Sequence, residues 1–185
     1  LELFRLRFGA ANVSPRAWLA APSTNTRLRL EHTADKNTNS TTSTDLWGVV
    51  GLTANENNLT AIGQRLEAGR FLRHGETDAC LLPPDAAAAL GLNAADLGTA
   101  RVRLFGESFT LVGLLQAAAL DRPDLNGESL TPLDPEAQQP PAEAGTELGA
   151  GFTHLPGMVT AVFPFEAVIR WERAQLASIG LRLND

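Results

Sequence analysis

Four side chains in this sequence have the chemistry to hold a metal or attack a substrate: His32, His74, His154 and the single cysteine, Cys80. No histidine lies within four residues of another, and no CxxC or HxxxH pair occurs, so the local ligand pairs from which zinc sites are usually built are missing. A site could form from these side chains only if folding brought His74, Cys80 and His154 together. Cys80 stands in the apolar run "ACLLP", which predicts a buried small hydrophobe and not an activated thiolate. No GxSxG elbow, GxxxxGK[ST] loop or GxGxxG turn is present. The carboxylates are scattered, and no pair of them stands out for acid–base work. The expectation is therefore of no catalytic, cofactor-binding or metal-binding residue and no cofactor.

Composition narrows the partners. The 185 residues carry 21 acids against 15 bases and 44% hydrophobic residues, enough apolar surface for a real core. No concentrated basic face is visible, which argues against nucleic acid and against an anionic membrane surface. No apolar run approaches the roughly 20 residues that span a bilayer. A single lysine, Lys36, among many arginines and alanines looks bacterial.

The elements that must position these residues can be read from period and punctuation. Residues 1–8, "LELFRLRF", nearly alternate and predict a strand, with Phe4 out of phase. "SPRAWLAAPS" is open between a short helix begun by Pro15 and something else. Residues 26–32 alternate as a strand, and 33–45, almost all Thr, Ser, Asn and Asp, predict a hairpin-tip loop. "DLWGVVGLTA" predicts a strand in which Gly48 and Gly51 permit a bulge or close packing. Leu59, Ile62 and Leu66 share one helical face, predicting a helix ending at Gly69.

Next come a turn at Gly75, a strand over 79–82, and a helix opened by Pro83 and Pro84 and closed by Gly91. A further turn capped by Asn93 precedes a hairpin in "RVRLFGESFTLVGLL". Residues 121–150 hold five prolines, and seven acids against Arg122 leave −6, the formal charge of the entire chain. That predicts an acidic, extended or disordered loop. The end reads as a strand in "GMVTAVFP", a helix from Pro164 to Gly180 and a resumed strand in "LRLND", together a split βαβ unit. Both ends read as strands cut from a longer chain, so an excised domain is expected.

From residue 46 onward the order of these elements resembles the extracytoplasmic domain of MacB-like/FtsX-like ABC transporter permeases. The resemblance is carried by Gly51, by Gly69-Arg70-Phe71, by Asp78, Leu90-Gly91 and Gly98, by Val112-Gly113, and by the later "AVFPFEAVIRW". It covers residues 46–115 and 158–185, and departs from the family's pattern in the 121–150 insert and in Cys80. It implies an α+β fold: a mixed α/β base of split βαβ type from residues 1–60 plus 157–185, with an inserted β-rich subdomain over 61–156. It implies a non-catalytic domain at the extracytoplasmic face of the bacterial membrane, in the periplasm, that couples ATP-driven movement to a substrate or partner. The implied partners are transmembrane segments of the same chain, a cytoplasmic ABC ATPase acting through them, and a periplasmic or extracellular protein. The alternatives are an extracellular adhesion module and a hydrolase assembled from dispersed residues.

Overall fold

The computed structural model describes residues 1–23, 25–33, 40–116, 118–122, 127–137 and 152–182. Its organising element is one mixed sheet of ten strands. In chain order these are β1 (Val13–Ala20), β2 (Leu28–Thr33), β3 (Thr41–Leu46), β4 (Gly48–Leu52), β5 (Leu66–Gly69), β6 (Ala79–Leu82), β7 (Arg101–Leu104), β8 (Glu107–Leu115), β9 (Thr160–Pro164) and β10 (Gln175–Leu181). They lie in the order β10-β1-β4-β9-β6-β8-β7-β2-β3, with β5 on β8. The described α-helices are short: α1 (Glu2–Phe8), α2 (Glu56–Thr60), α3 (Pro84–Ala89) and α4 (Phe165–Val168). The fold is α+β.

The period-2 geometry of strands sorts the apolar residues to two faces. Val49, Cys80, Leu82, Leu111, Ala161 and Phe163 enter one core, with Ala86 and Ala87 of α3, Ala167 and Val168 of α4, and Trp171. Their chain neighbours Val50, Leu81, Val112 and Val162 enter a second core on the other face, against Ile62, Phe71, Leu120 and Leu130. The central strands are therefore apolar on both faces, as continuous hydrophobic runs such as "GVVGL" and "ACLL" demand. The first core is dominated by aromatic edge-to-face contacts: Phe109 to Phe163 at 4.8 Å and Phe163 to Trp171 at 5.6 Å.

β10 is antiparallel to β1, β1 to β4, and β4 runs parallel to β9. β9 and β10 thus point the same way, joined by α4 across two intervening strands, which is the split βαβ expected over 158–185. The strands expected at 26–32, 46–52, 79–82 and in the hairpin at 101–115 are present, as is the helix opened by Pro84. The Gly51 packing is as tight as its sequence context predicts. A Cβ there would lie 2.8 Å from Val168 Cβ.

Four expectations are corrected and one open reading is decided. Residues 2–8 form α1 and not a strand. None of them is buried, so there is no sheet face for their alternation to serve, and Phe4 stacks on Phe8 one turn later at 6.3 Å. "SPRAWLA" is β1. Pro15 is tolerated because β4 pairs only from Ala17 onward, so the missing N–H breaks no bond on that side. The polar run 41–46 is strand β3, its β-branched threonines paired along β2; residues 34–39 of the expected loop lie outside the described set.

The helix expected up to Gly69 stops at Ala61, which is left-handed at φ 52°, and 66–69 become β5. The helix expected from Pro164 to Gly180 ends at Val168. Arg173 turns the chain at φ 69°, and 175–181 pair with β1. One physical reason covers both shortened helices: apolar spacing of 3 and 4 describes a single helical turn as well as a long one, and an open strand edge offered more backbone bonds.

The acidic 121–150 segment is also partly reassigned. Leu130 is buried in the second core, its carbonyl accepts from Trp18 Nε1 at 2.8 Å, and Leu133 bridges to His154. Residues 123–126 and 138–150 of that expectation lie outside the described set.

Candidate functional site

The first and last strands of the sheet lie side by side. Val13 faces Leu181, and the N–H of Arg182 donates to the carbonyl of Asn12 at 2.9 Å. At this end of the sheet the structure places its most buried charges. Arg16 on β1 and Glu56 at the start of α2 form a two-pronged ion pair: Nε donates to Oε2 at 3.0 Å and Nη2 to Oε1 at 2.9 Å. Their side chains are 5% and 0% exposed.

Two unscreened charges in a low-dielectric setting are tolerable only when their remaining hydrogen-bonding capacity is filled. Ser14 donates to Glu56 Oε2 at 2.8 Å and lies 3.0 Å from the Thr53 hydroxyl, and Arg16 Nη1 reaches Ser178 of β10 at 3.5 Å. Asn55 adds a tie to the incoming chain, its Nδ2 donating to the carbonyls of Ala10 and Val13 at 2.7 and 2.9 Å. β1, α2 and β10 are thus held as one rigid unit where the two strands nearest the chain ends meet. Sequence reasoning missed this network because its partners stand 40 and 162 residues apart. The available signal was an arginine inside the apolar stretch "SPRAWLA".

The sequence-derived candidates go to separate places. Cys80 is fully buried in β6, and burial pushes its thiol well above the ordinary range, against a smaller opposing effect of the Arg101 charge. A thiol so held is no nucleophile at neutral pH. His32 is at the surface with Nδ1 2.8 Å from the Arg101 carbonyl. His74 lies on the wall of a cavity of about 730 Å³ between α1, the 52–55 segment and the 72–77 turn. The cavity's Glu76 is already committed: Arg70 holds both its oxygens, at 2.5 and 2.8 Å, and the Arg73 N–H donates to it at 2.8 Å. The Arg70 hydrogen bonds hold the Glu76 carboxyl below the ordinary value, with partial desolvation opposing.

His154 is a structural pin. Its Nδ1 is 2.6 Å from the Thr131 carbonyl, its Nε2 is 2.6 Å from Glu128 Oε2, and Trp18 meets it edge-on at 5.4 Å. Among the described residues, no three His, Cys, Asp or Glu side chains converge to hold a metal ion. Nor, among them, is any helix long and apolar enough to cross a membrane.

No protein-family model matches this sequence, and no curated protein matches it. Solved structures do. One is the periplasmic region of MacB from Actinobacillus actinomycetemcomitans, at 14% identity over 94% of this chain and 57% of that one, with a TM-score of 0.50. Another is the extracellular domain of the noncanonic ABC-type transporter YknZ from Gram-positive bacteria, at 12% identity over 85% of this chain and 56% of that one, with a TM-score of 0.43. The chain spans less than two thirds of either. At these identities the likeness is one of fold, and the first comparison carries it: this chain and the MacB periplasmic region share a fold.

Proposed function

We propose that this chain is a non-catalytic extracytoplasmic domain of an ABC transporter permease, coupling movement of a membrane part to a substrate or partner outside the cytoplasm. The observation that carries this reading is the fold shared with the MacB periplasmic region over 94% of the chain. On this reading the domain sits at the outer face of a bacterial cell membrane, between transmembrane segments of the same polypeptide. A cytoplasmic ATPase drives those segments, and a periplasmic or extracellular protein receives the movement.

The geometry at the chain ends supports the reading. Adjacent antiparallel strands β1 and β10 bring residues 12 and 182 into hydrogen-bond contact, the arrangement a domain looped between two membrane segments needs. A push on either end passes into one sheet, because the buried Arg16–Glu56 pair and Ser178 lock the two strands to α2. On this reading residues 1–60 plus 157–185 are the base and 61–156 the inserted part, with β2 of the base pairing onto β7 of the insert. The two parts share backbone pairing at Leu81–Val162 and a packed core in which Phe109 meets Phe163 edge-on at 4.8 Å.

The test is the parent gene. Apolar spans of about 20 residues flanking this domain on both sides are expected. A parent with no such span on either side overturns the reading in favour of a free adhesion module. In a reconstituted transporter, replacing the domain by a short Gly/Ser linker should abolish transport while the ATPase subunit stays folded.

A further inference from the structure

Left-handed backbone is costly for a bulky side chain, and among the described residues three that are not glycine adopt it: Ala61, Phe105 and Arg173. Two of the three, Phe105 and Arg173, line one cavity of about 420 Å³. Phe105 (φ 51°) and Gly106 (φ 82°) turn β7 into β8, and Asn or Asp is the ordinary occupant of the first of these positions. Here it holds a phenyl ring that is 54% exposed. Arg173, at φ 69°, places an exposed guanidinium where Gly or Asn would sit more easily. Strain at two points of one cavity wall points to side chains placed there for something other than folding.

The lining of this cavity has two parts. One is apolar: Leu19, Leu28, Trp171 and the Phe105 ring. Trp171 is fixed in place, its Nε1 donating to Glu107 at 2.8 Å, and Phe105 meets it edge-on at 5.1 Å yet stays half-exposed. The other part is cationic. Arg27 and Arg173 stand against the single carboxylate of Glu172. Arg27 packs over the Trp47 ring at 3.9 Å, and among the described residues neither arginine has a carboxylate within ion-pair distance.

We propose that this cavity binds an aromatic carboxylate, its ring against Phe105 and Trp171 and its anionic head on Arg27 and Arg173. A cavity of this volume holds a drug-sized ligand. A planar guanidinium pairs with a carboxylate through two parallel hydrogen bonds and also stacks on an aromatic ring, so both arginines suit such a ligand. An ammonium head would meet two like charges in the same place. The site is independent of what flanks the chain, and so of the transporter reading.

Isothermal titration of the 1–185 chain with 2-naphthoate tests it, with 2-naphthylmethylammonium as the probe of opposite charge. The expected Kd for naphthoate is about 0.1–1 mM, ordinary for a ligand of its size, and the ammonium probe should bind about tenfold more weakly or not at all. Phe105→Asn and Arg173→Asn separate binding from folding, because each installs a residue that the local backbone prefers. In both variants the thermal midpoint should hold or rise while naphthoate affinity falls about tenfold. Absence of saturable binding of naphthoate by the wild type overturns the inference. So does equal binding of the two probes, or naphthoate binding that survives both substitutions. A midpoint that drops in Phe105→Asn also overturns it, since the ring would then serve as a cover for Trp171.

Discussion

At the scale of single residues, the decisive groups are those whose burial leaves them no freedom. Arg16 and Glu56 depend on each other: either alone would be an unpaired charge in an apolar interior. Arg16→Met should cost about 3–5 kcal/mol of stability, because it leaves the buried Glu56 carboxylate without its cation, with the Ser14 hydroxyl still donating to it. Urea unfolding monitored by tryptophan fluorescence measures it, and a loss below about 1 kcal/mol would mean the pair is solvated. Cys80 should resist a disulfide-exchange reagent in the native state and react only on unfolding, since its thiolate is disfavoured by burial.

Glu76 works in the opposite direction. Its carboxyl is held below the ordinary value by Arg70, so the folded state binds this proton less readily than the unfolded chain does. The stabilisation is complete above the ordinary carboxylate range. It fades as the solution is acidified through that range toward the lowered value. Glu76→Gln should flatten the acid limb of a stability–pH profile and leave its alkaline limb unchanged.

At the scale of elements, short helices and a large sheet follow from where backbone groups find partners. β5 lies tight against β8: a Cβ on Gly69, at φ +84°, would fall 2.3 Å from the Val112 carbonyl. Gly69→Ala should lose about 1–3 kcal/mol through backbone strain alone, with steric overlap adding to it. A thermal scan that shows no drop would mean that β5 can separate from β8 at no cost. Gly91-type turns and the α3 opening were legible because proline and glycine impose their own torsions. The extent of α2 and α4 was not, since Ala61 and Arg173 adopt left-handed torsions that nothing in their identity announces.

At the scale of the whole molecule, the pairing of the first and last strands ties residues 12 and 182 together. Val13 and Leu181 form a non-bonded pair, the closer kind, whose Cα atoms stand about 4.5 Å apart. That is within disulfide reach. The double variant Val13→Cys/Leu181→Cys should oxidise without loss of fold, with Cys80 too buried to compete. In a reconstituted transporter the oxidised form should transport normally if the domain moves as one body. Loss of transport on oxidation, restored by reduction, would mean that β1 and β10 separate during the cycle.

The sequence alone determined the α+β fold class, most strand positions and the order of elements from 46 to 115, because turn residues and apolar runs act locally. It also set aside a cysteine nucleophile, since a thiol inside "ACLLP" has no polar surroundings to ionise it. Only the tertiary structure decided that residues 2–8 are helical, that 41–46 and 175–181 are strands, and that Arg16 meets Glu56. The pairing of 175–181 with β1 and the Arg16–Glu56 pair depend on partners 40 to more than a hundred residues away. A strand edge or a buried carboxylate exists only once the sheet has closed around it.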